Sequence, residues 1–277
     1  MKERLAHAVA AGHAGDRLWL YATYHCNLSC LYCLTESSPR IANRRALPAQ
    51  AMVRAVSEAR ELGFASVGVT GGEAFMLPDF VETLRQIGEL LPVVVLTNAS
   101  LFTEQRLREL ESLADLDLTF QVSLDSDDPS RNDAFRGAGN FDSVLEAIPK
   151  LLERRIKVRI ATTVEDQPPD ELTRLCELHR SLGIPDEDHI VRPIIRRGRA
   201  KLGQLGVELG LHDAQPELTL TADGAFLNPF APTVSDGQTD VDLLVSRQIA
   251  PLSAALRRFL TIIEGQPAGD DVVRSLR

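Results

Sequence analysis

Cys26, Cys30 and Cys33 stand in a C-x3-C-x2-C pattern, and they are three of only four cysteines in the 277-residue chain. Three thiols within eight residues make no disulfide framework for a chain of this size and suggest a metal instead. They suit an iron-sulfur cluster. Three thiolates would hold three irons of a [4Fe-4S] cube and leave the fourth open, as a cluster requires if it is to bind a substrate or cofactor rather than only pass electrons. A structural zinc site is the other chemistry these thiols offer, and it is normally closed by four ligands. The near candidate for a fourth is His25, which adjoins Cys26, and neighbours in an extended segment point apart.

The elements that must position this loop alternate regularly. Strand-like runs cover 17–24, 66–70, 93–97, 116–125, 157–164 and 189–195, each of the first five followed by a helix-like run. The helical faces read as Met52, Val56 and Ala59; Phe80, Leu84, Ile87 and Leu91; Leu107, Leu110 and Leu113; Phe141, Val144, Leu145, Ile148 and Leu152; and Leu172, Leu175 and Leu182. Six βα-type units predict a parallel sheet, either doubly wound or curved into a barrel. The fourth strand favours the barrel. Leu116, Leu118, Phe120, Val122 and Leu124 alternate with Asp117, Thr119, Gln121, Ser123 and Asp125, which predicts one face under helices and one polar face lining a cavity. The expected fold is α/β: a partial (β/α)6 parallel barrel over 17–197, an N-terminal helical extension over 1–16, and a small C-terminal appendage over 198–277. In the appendage a hairpin is expected around Asp223-Gly224, then a helix carrying Leu244, Ile249, Leu252, Leu256, Phe259 and Ile263, with the last ten or so residues mobile.

Composition sets limits on function. Thirty Lys and Arg against 39 Asp and Glu give a formal charge of −9, which argues against a protein whose main work is gripping phosphate backbones. No apolar run approaches the roughly 18 to 20 residues of a membrane span, and the Ala-rich start, interrupted by His7 and His13, reads as a helix rather than a signal sequence. A cytoplasmic protein without nucleic-acid or membrane partners is expected.

The cysteine spacing, with Tyr32 between the last two cysteines, resembles the radical S-adenosylmethionine (SAM) superfamily. The resemblance implies one [4Fe-4S] cluster on Cys26, Cys30 and Cys33 whose open iron takes the amino and carboxylate groups of SAM, and reductive cleavage of SAM to methionine and a 5'-deoxyadenosyl radical. Thr70-Gly71-Gly72-Glu73, after the second strand, looks like the family's Gly-Gly-Glu motif. Two residues without Cβ let the backbone approach a ligand, and Glu73 would meet the methionine ammonium. Thr97-Asn98 and Ser123-Leu124-Asp125 end the third and fourth strands, where the superfamily handles the ribose and the methionine carboxylate. Arg159 and Thr163 alternate with apolar residues on the fifth strand and could face the cavity, Arg159 toward a carboxylate; Arg192 could point either way. Cofactor-binding candidates are therefore Tyr32, Gly71, Gly72, Glu73, Asn98, Ser123, Asp125 and Arg159.

Residues 121–164, with Asn132-Asp133 and Arg136-Gly137, together with Pro193 and Gly198-Arg199-Ala200, are similar to anaerobic sulfatase-maturating enzymes and the SPASM/twitch subgroup. Auxiliary clusters of that subgroup need further cysteines. Here only Cys176 follows Cys33, so the appendage resembles a degenerate SPASM-like cap without a cluster. Cys176 sits on the apolar side of the fifth helix and reads as a structural thiol rather than a hydrogen donor to a substrate radical. Arg196, Arg197, Arg199 and Lys201 form a basic run, either a solvated loop or a dock for an acidic electron donor of the flavodoxin or ferredoxin type. His7, His13, His179, His189 and His212 show no ligand spacing. The expected function is hydrogen abstraction from a small molecule, such as a sugar or aminocyclitol, or from a peptide in a maturase of the sulfatase or peptide natural-product type. About 16 residues precede the first strand, which tilts the expectation toward a small substrate or a leader supplied by a partner. An iron-sulfur electron-transfer or metal-binding module is the non-enzymatic alternative.

Overall fold

The computed structural model describes residues 1–42, 45–165, 169–209 and 214–265; His212 and the tail expected to be mobile lie outside the described residues. Six strands, β1 (Arg17–Thr23), β2 (Ser66–Gly71), β3 (Val93–Thr97), β4 (Leu118–Ser123), β5 (Lys157–Val164) and β6 (His189–Pro193), pair in sequence order, every pair parallel. They form the partial barrel. Helices α2 (Ala49–Leu62), α3 (Phe80–Gly88), α4 (Glu104–Leu110), α6 (Asn140–Glu153) and α7 (Pro169–Ser181) alternate with them, as parallel pairing requires a crossover at each step.

The outward residues of the first five strands make the core. Leu18 and Leu20, Val67 and Val69, Val93 and Val95, Phe120 and Val122, and Val158 and Ile160 pack in one buried cluster with Met52 and Val56, Leu84 and Ile87, and Val144 and Ile148 from the helices. Inward residues are more polar. Val94 and Leu96 on β3 give way to Gln121 and Ser123 on β4 and to Arg159, Ala161 and Thr163 on β5. The N-terminal helix α1 (Lys2–Ala10) contributes Leu5 and Ala8 to the core beside the last helix, α9 (Leu252–Glu264).

The appendage joins the same sheet. Strand β7 (Thr219–Thr221) runs parallel to β1, with Trp19 opposite Thr219, and turns at Asp223-Gly224 into the antiparallel β8 (Gly224–Phe226). The short pair β9 (Val234–Ser235) and β10 (Gln238–Thr239) stands apart, and β11 (Leu244–Ser246) completes the nine-stranded sheet against β8. Two expectations are corrected. Leu244 belongs to β11 and not to the final helix, which begins only at Leu252. A helix the periodicity did not show, α5 (Pro129–Arg136), precedes α6 because Asp128 caps it with its side chain, accepting the N–H groups of Ser130 and Arg131, and Pro129 opens it. Its buried residues are Asn132 and Arg136, so no apolar stripe marks it. Among the described residues no helix is long and apolar enough to cross a membrane.

Candidate functional site

The cysteine loop leaves β1 at Thr23 and is fastened by backbone hydrogen bonds to three separate parts of the chain. Gly72 N–H donates to the Thr23 carbonyl at 2.6 Å and Glu73 N–H to that of His25 at 2.9 Å, while Leu31 N–H reaches Phe135 at 2.8 Å and Arg199 N–H donates to Cys33 at 2.9 Å. Gly72 is required by this approach, since a Cβ there would lie 2.1 Å from the His25 carbonyl oxygen. The same holds at Gly198, which opens α8 (Arg199–Leu202). Its φ is +55°, and a Cβ would stand 2.2 Å from the Leu34 oxygen.

Cys26 is buried and Cys30 and Cys33 are half-buried. Hydrogen-bond donors surround them. Leu28 N–H and Asn98 Nδ2 lie 3.4 and 3.7 Å from the Cys26 sulfur, and Thr35 Oγ1 lies 3.7 Å from that of Cys33. Burial pushes the Cys26 thiol up to about 12, against the pull of the Leu28 N–H. Burial also raises the Cys30 thiol, opposed by the Arg136 charge. Metal binding must therefore displace protons here. Two guanidiniums flank the loop to receive the resulting negative charge, Arg136 from α5 and Arg199 from α8. Among the described residues no three His, Cys, Asp or Glu side chains close around a single point; a four-iron cluster takes its ligands on separate irons.

A cavity of about 1070 Å³, measured with its open mouth, lies at the C-terminal ends of the strands. Cys26, Cys30, Cys33 and Tyr32 line it from the loop, Gly71 and Gly72 from β2, Asn98 from the end of β3, Ser123 from β4, Thr163 from β5 and Arg192 from β6. Sequence reasoning did not find Tyr21, which also lines it, nor Pro229 and Phe230, which the appendage brings over from beyond β8. Tyr21 carried a signal: it shares the inward face of β1 with Trp19 and Thr23. Its hydroxyl donates to the Pro229 carbonyl at 3.0 Å and so ties the appendage to the barrel.

Comparison with known proteins bears on this geometry. Residues 20–179, more than half of the chain, match the family described as the radical SAM superfamily. The chain belongs to the radical SAM superfamily. GTP 3',8-cyclase of Clostridium perfringens is 30% identical over 173 residues, 60% of this chain and 52% of that protein. The mycofactocin maturase MftC of Mycolicibacterium smegmatis is 30% identical over 167 residues, 58% of this chain and 41% of its own. The chain thus spans about half the length of the curated relatives it matches. In fold it is similar to native anSMEcpe with bound AdoMet (TM-score 0.65, 13% identity, 90% of this chain and 83% of that one). It is also similar to Streptococcus suis SuiB bound to S-adenosylmethionine (TM-score 0.58, 23% identity, 69% and 44%). The family's cofactors are a [4Fe-4S] cluster and SAM, and the donor set fits them: three thiols, N–H donors directed at sulfur and two nearby cations.

Three of the residues expected to touch the cofactor of this radical SAM chain do not line the cavity. Glu73 is fully buried behind it, where its carboxylate accepts Phe75 N–H (3.1 Å), Thr97 Oγ1–H (3.0 Å) and Asn98 N–H (2.9 Å), all neutral donors. Burial raises its pKa against those hydrogen bonds. Asp125 turns away toward α5. It pairs with Arg136 at 3.3 Å, accepts Thr163 N–H at 2.9 Å and receives the hydroxyl of Tyr32, which is bonded to Arg136 as well. Arg159 faces inward but lies four residues below Thr163, roughly 13 Å along the strand. There it sits opposite Gln121, its Nε and Nη2 buried without a hydrogen-bond partner, and burial and the charge of Arg17 push its pKa down to about 10.

Cys176 is outside the cavity. Its sulfur lies 3.5 Å from His189 Nδ1, whose Nε2 meets Thr162 Oγ1 at 2.8 Å, and the His179 ring stacks edge-on against His189.

The basic run is largely spent inside the molecule. Arg196 bonds the carbonyl of Gly206, Arg197 pairs with Asp240 at 2.9 Å, and Arg199 bonds the carbonyls of Cys30 and Ser37. Arg199 thereby ties the second half of the cysteine loop, from Cys30 to Ser37, together, so Arg199→Ala is expected to loosen it. Anaerobically reconstituted variant should hold less than half the iron of the parent after gel filtration, with its fold unchanged by circular dichroism. Full iron retention would show that the loop holds its shape without the clasp.

Proposed function

We propose that this chain cleaves SAM reductively at a [4Fe-4S] cluster held by Cys26, Cys30 and Cys33, and that the product radical abstracts hydrogen from a substrate lying between β6 and Pro229-Phe230. When bound, the cluster supplies an electron to the SAM sulfonium, which releases methionine and a 5'-deoxyadenosyl radical. The convergence of the three cysteines with Gly72, Asn98, Ser123, Thr163 and Arg192 on one cavity is the observation that supports this reading. These residues come from a stretch of more than 160, and in a parallel barrel only the C-terminal face brings them together.

The chain's own residues bind, orient and enclose. The three thiolates would hold the cluster, and the bare backbone of Gly71-Gly72 would leave room for the methionine end of SAM. Asn98 and Ser123 offer polar groups to that end. Glu73 acts one layer behind, holding Thr97 and Asn98 in place and supplying a negative charge that the ammonium would offset. Pro229 and Phe230 cover part of the mouth and shield the radical from dissolved oxidants, reductants and hydrogen donors that would otherwise quench it. We assign residues 17–197 to the catalytic unit and 198–277 to its appendage, of which Pro229 and Phe230 reach the cavity. The substrate is a small molecule or a peptide segment, and a one-electron donor of the flavodoxin or ferredoxin type completes the reaction. The relatives' names leave the substrate open: one is a GTP 3',8-cyclase, another a mycofactocin maturase.

Anaerobic protein incubated with dithionite and SAM should form 5'-deoxyadenosine, which an electron-transfer module would not; a brown protein that forms none would overturn the reading. Glu73→Gln should keep its iron and lose about tenfold in SAM affinity, the lower end for a charge-assisted interaction. Equilibrium dialysis against labelled SAM measures it, and unchanged affinity would count against the role given to Glu73.

A further inference from the structure

The cavity is lined by two cations, Arg136 and Arg192, and by no aspartate or glutamate. Arg136 is committed. Its guanidinium pairs with Asp125 at 3.3 Å, donates to Asn140 Oδ1 at 3.0 Å and meets Tyr32. Arg192 differs, having no hydrogen bond or ion pair among the described residues. It stands on β6 opposite Thr163, two strands from Ser123 on β4 and three from the strand that ends at Asn98, which the proposed function gives to the methionine end of SAM. The other lining residues contributed by this strand, its continuation and the appendage are Pro193, Ile195, Pro229 and Phe230, all apolar.

A guanidinium keeps its charge in almost any protein setting, so a half-buried one facing a largely apolar chamber without a counter-ion is open to an anion. Burial already lowers the Arg192 pKa, and Arg136 adds to this, with Tyr32 and Asp125 opposing from beyond ion-pair distance. A carboxylate or phosphate bound bidentately would supply that counter-ion.

We propose that Arg192 captures an anionic group of the substrate, which makes that substrate an organic acid or phosphate ester with an apolar body. The inference rests on the cavity being the SAM site, and the test keeps the two apart. Reconstituted protein saturated with SAM is treated with phenylglyoxal, which modifies accessible guanidiniums, and labelling of Arg192 is read by peptide mass spectrometry. Three probes are compared: 3-phenylpropanoate, phenyl phosphate and the neutral 3-phenylpropanamide.

Arg192 should label in the SAM-loaded protein. One or both anions should slow its labelling about tenfold at concentrations well above their dissociation constants, and the amide should not. Protection by the carboxylate alone or the phosphate alone would identify which anion is taken. Equal labelling with all three probes overturns the proposal, as does a guanidinium that never labels. Protection by SAM alone, joined to a loss of SAM affinity of about tenfold or more in Arg192→Leu, overturns it differently, by making Arg192 a cofactor ligand. Absence of the brown chromophore or of SAM binding in the parent protein would strike the proposed function itself, and the inference with it.

Discussion

Replacing any one of Cys26, Cys30 or Cys33 by alanine is expected to abolish the brown chromophore of reconstituted protein, whereas Cys176→Ala should keep it. The loss should be complete rather than graded. A cluster on three protein ligands already leaves one iron without a side chain, and removing a second anchor leaves two thiolates on a loop whose own order depends on what it holds. No other cysteine can step in: Cys176 lies on α7 beside His189, and only three of the four cysteines line the cavity. The parent protein should carry about four irons per chain after reconstitution, and about eight would require a second cluster that these cysteines cannot build. Iron and sulfide assays with the visible spectrum decide it.

Arg136→Leu should cost about 3 to 5 kcal/mol of stability, the range for stripping one partner from a buried ion pair. Arg136 and Asp125 side chains are 6% and 4% exposed, so water can do little for the carboxylate left behind. The damage would spread through a connected set. Arg136 also holds Asn140, which donates to the Asn98 carbonyl at 3.1 Å, and it holds the Tyr32 hydroxyl inside the cysteine loop. For a chain of this size the midpoint of thermal unfolding should fall by about 5 to 9 °C. Adding Asp125→Asn should restore part of the loss, because the uncompensated charge goes with it. A loss below about 1 kcal/mol, the level of an exposed pair, would mean that solvent reaches this network after all.

Depth and direction inside the barrel were not legible in the residues. Alternation put Arg159 on the inward face of β5, and there it is, but whether an inward residue meets the cavity or the barrel floor depends on how far along the strand the cavity begins. That is set by the register of β5 against β4, where Gln121 faces Arg159 and Ser123 faces Ala161. Glu73 follows the glycines as expected, yet its carboxylate turns back onto the end of β3, where it accepts Thr97 Oγ1–H and Asn98 N–H, and takes the Phe75 N–H of its own turn besides. Leu244 fits a helical spacing with Ile249, Leu252 and Leu256, but pairing with β8 claims it for a strand.

What the sequence determined by itself is local. Apolar strands separated by amphipathic helices can satisfy their backbones only as a parallel sheet with crossovers, so the six βα units and the partial barrel follow from periodicity. The cysteine spacing and the glycine pair fall directly after their strands, so their place at the C-terminal face follows from the chain path. What the tertiary structure decided is everything made by backbone carbonyls and distant partners. Arg199 clasps Cys30 and Ser37 from more than 160 residues away, and Pro229 and Phe230 arrive over the mouth only because β7 pairs with β1. Every residue carries a carbonyl and every edge strand an unpaired ladder, so such contacts leave no mark in residue type. They exist only once the sheet has chosen its neighbours.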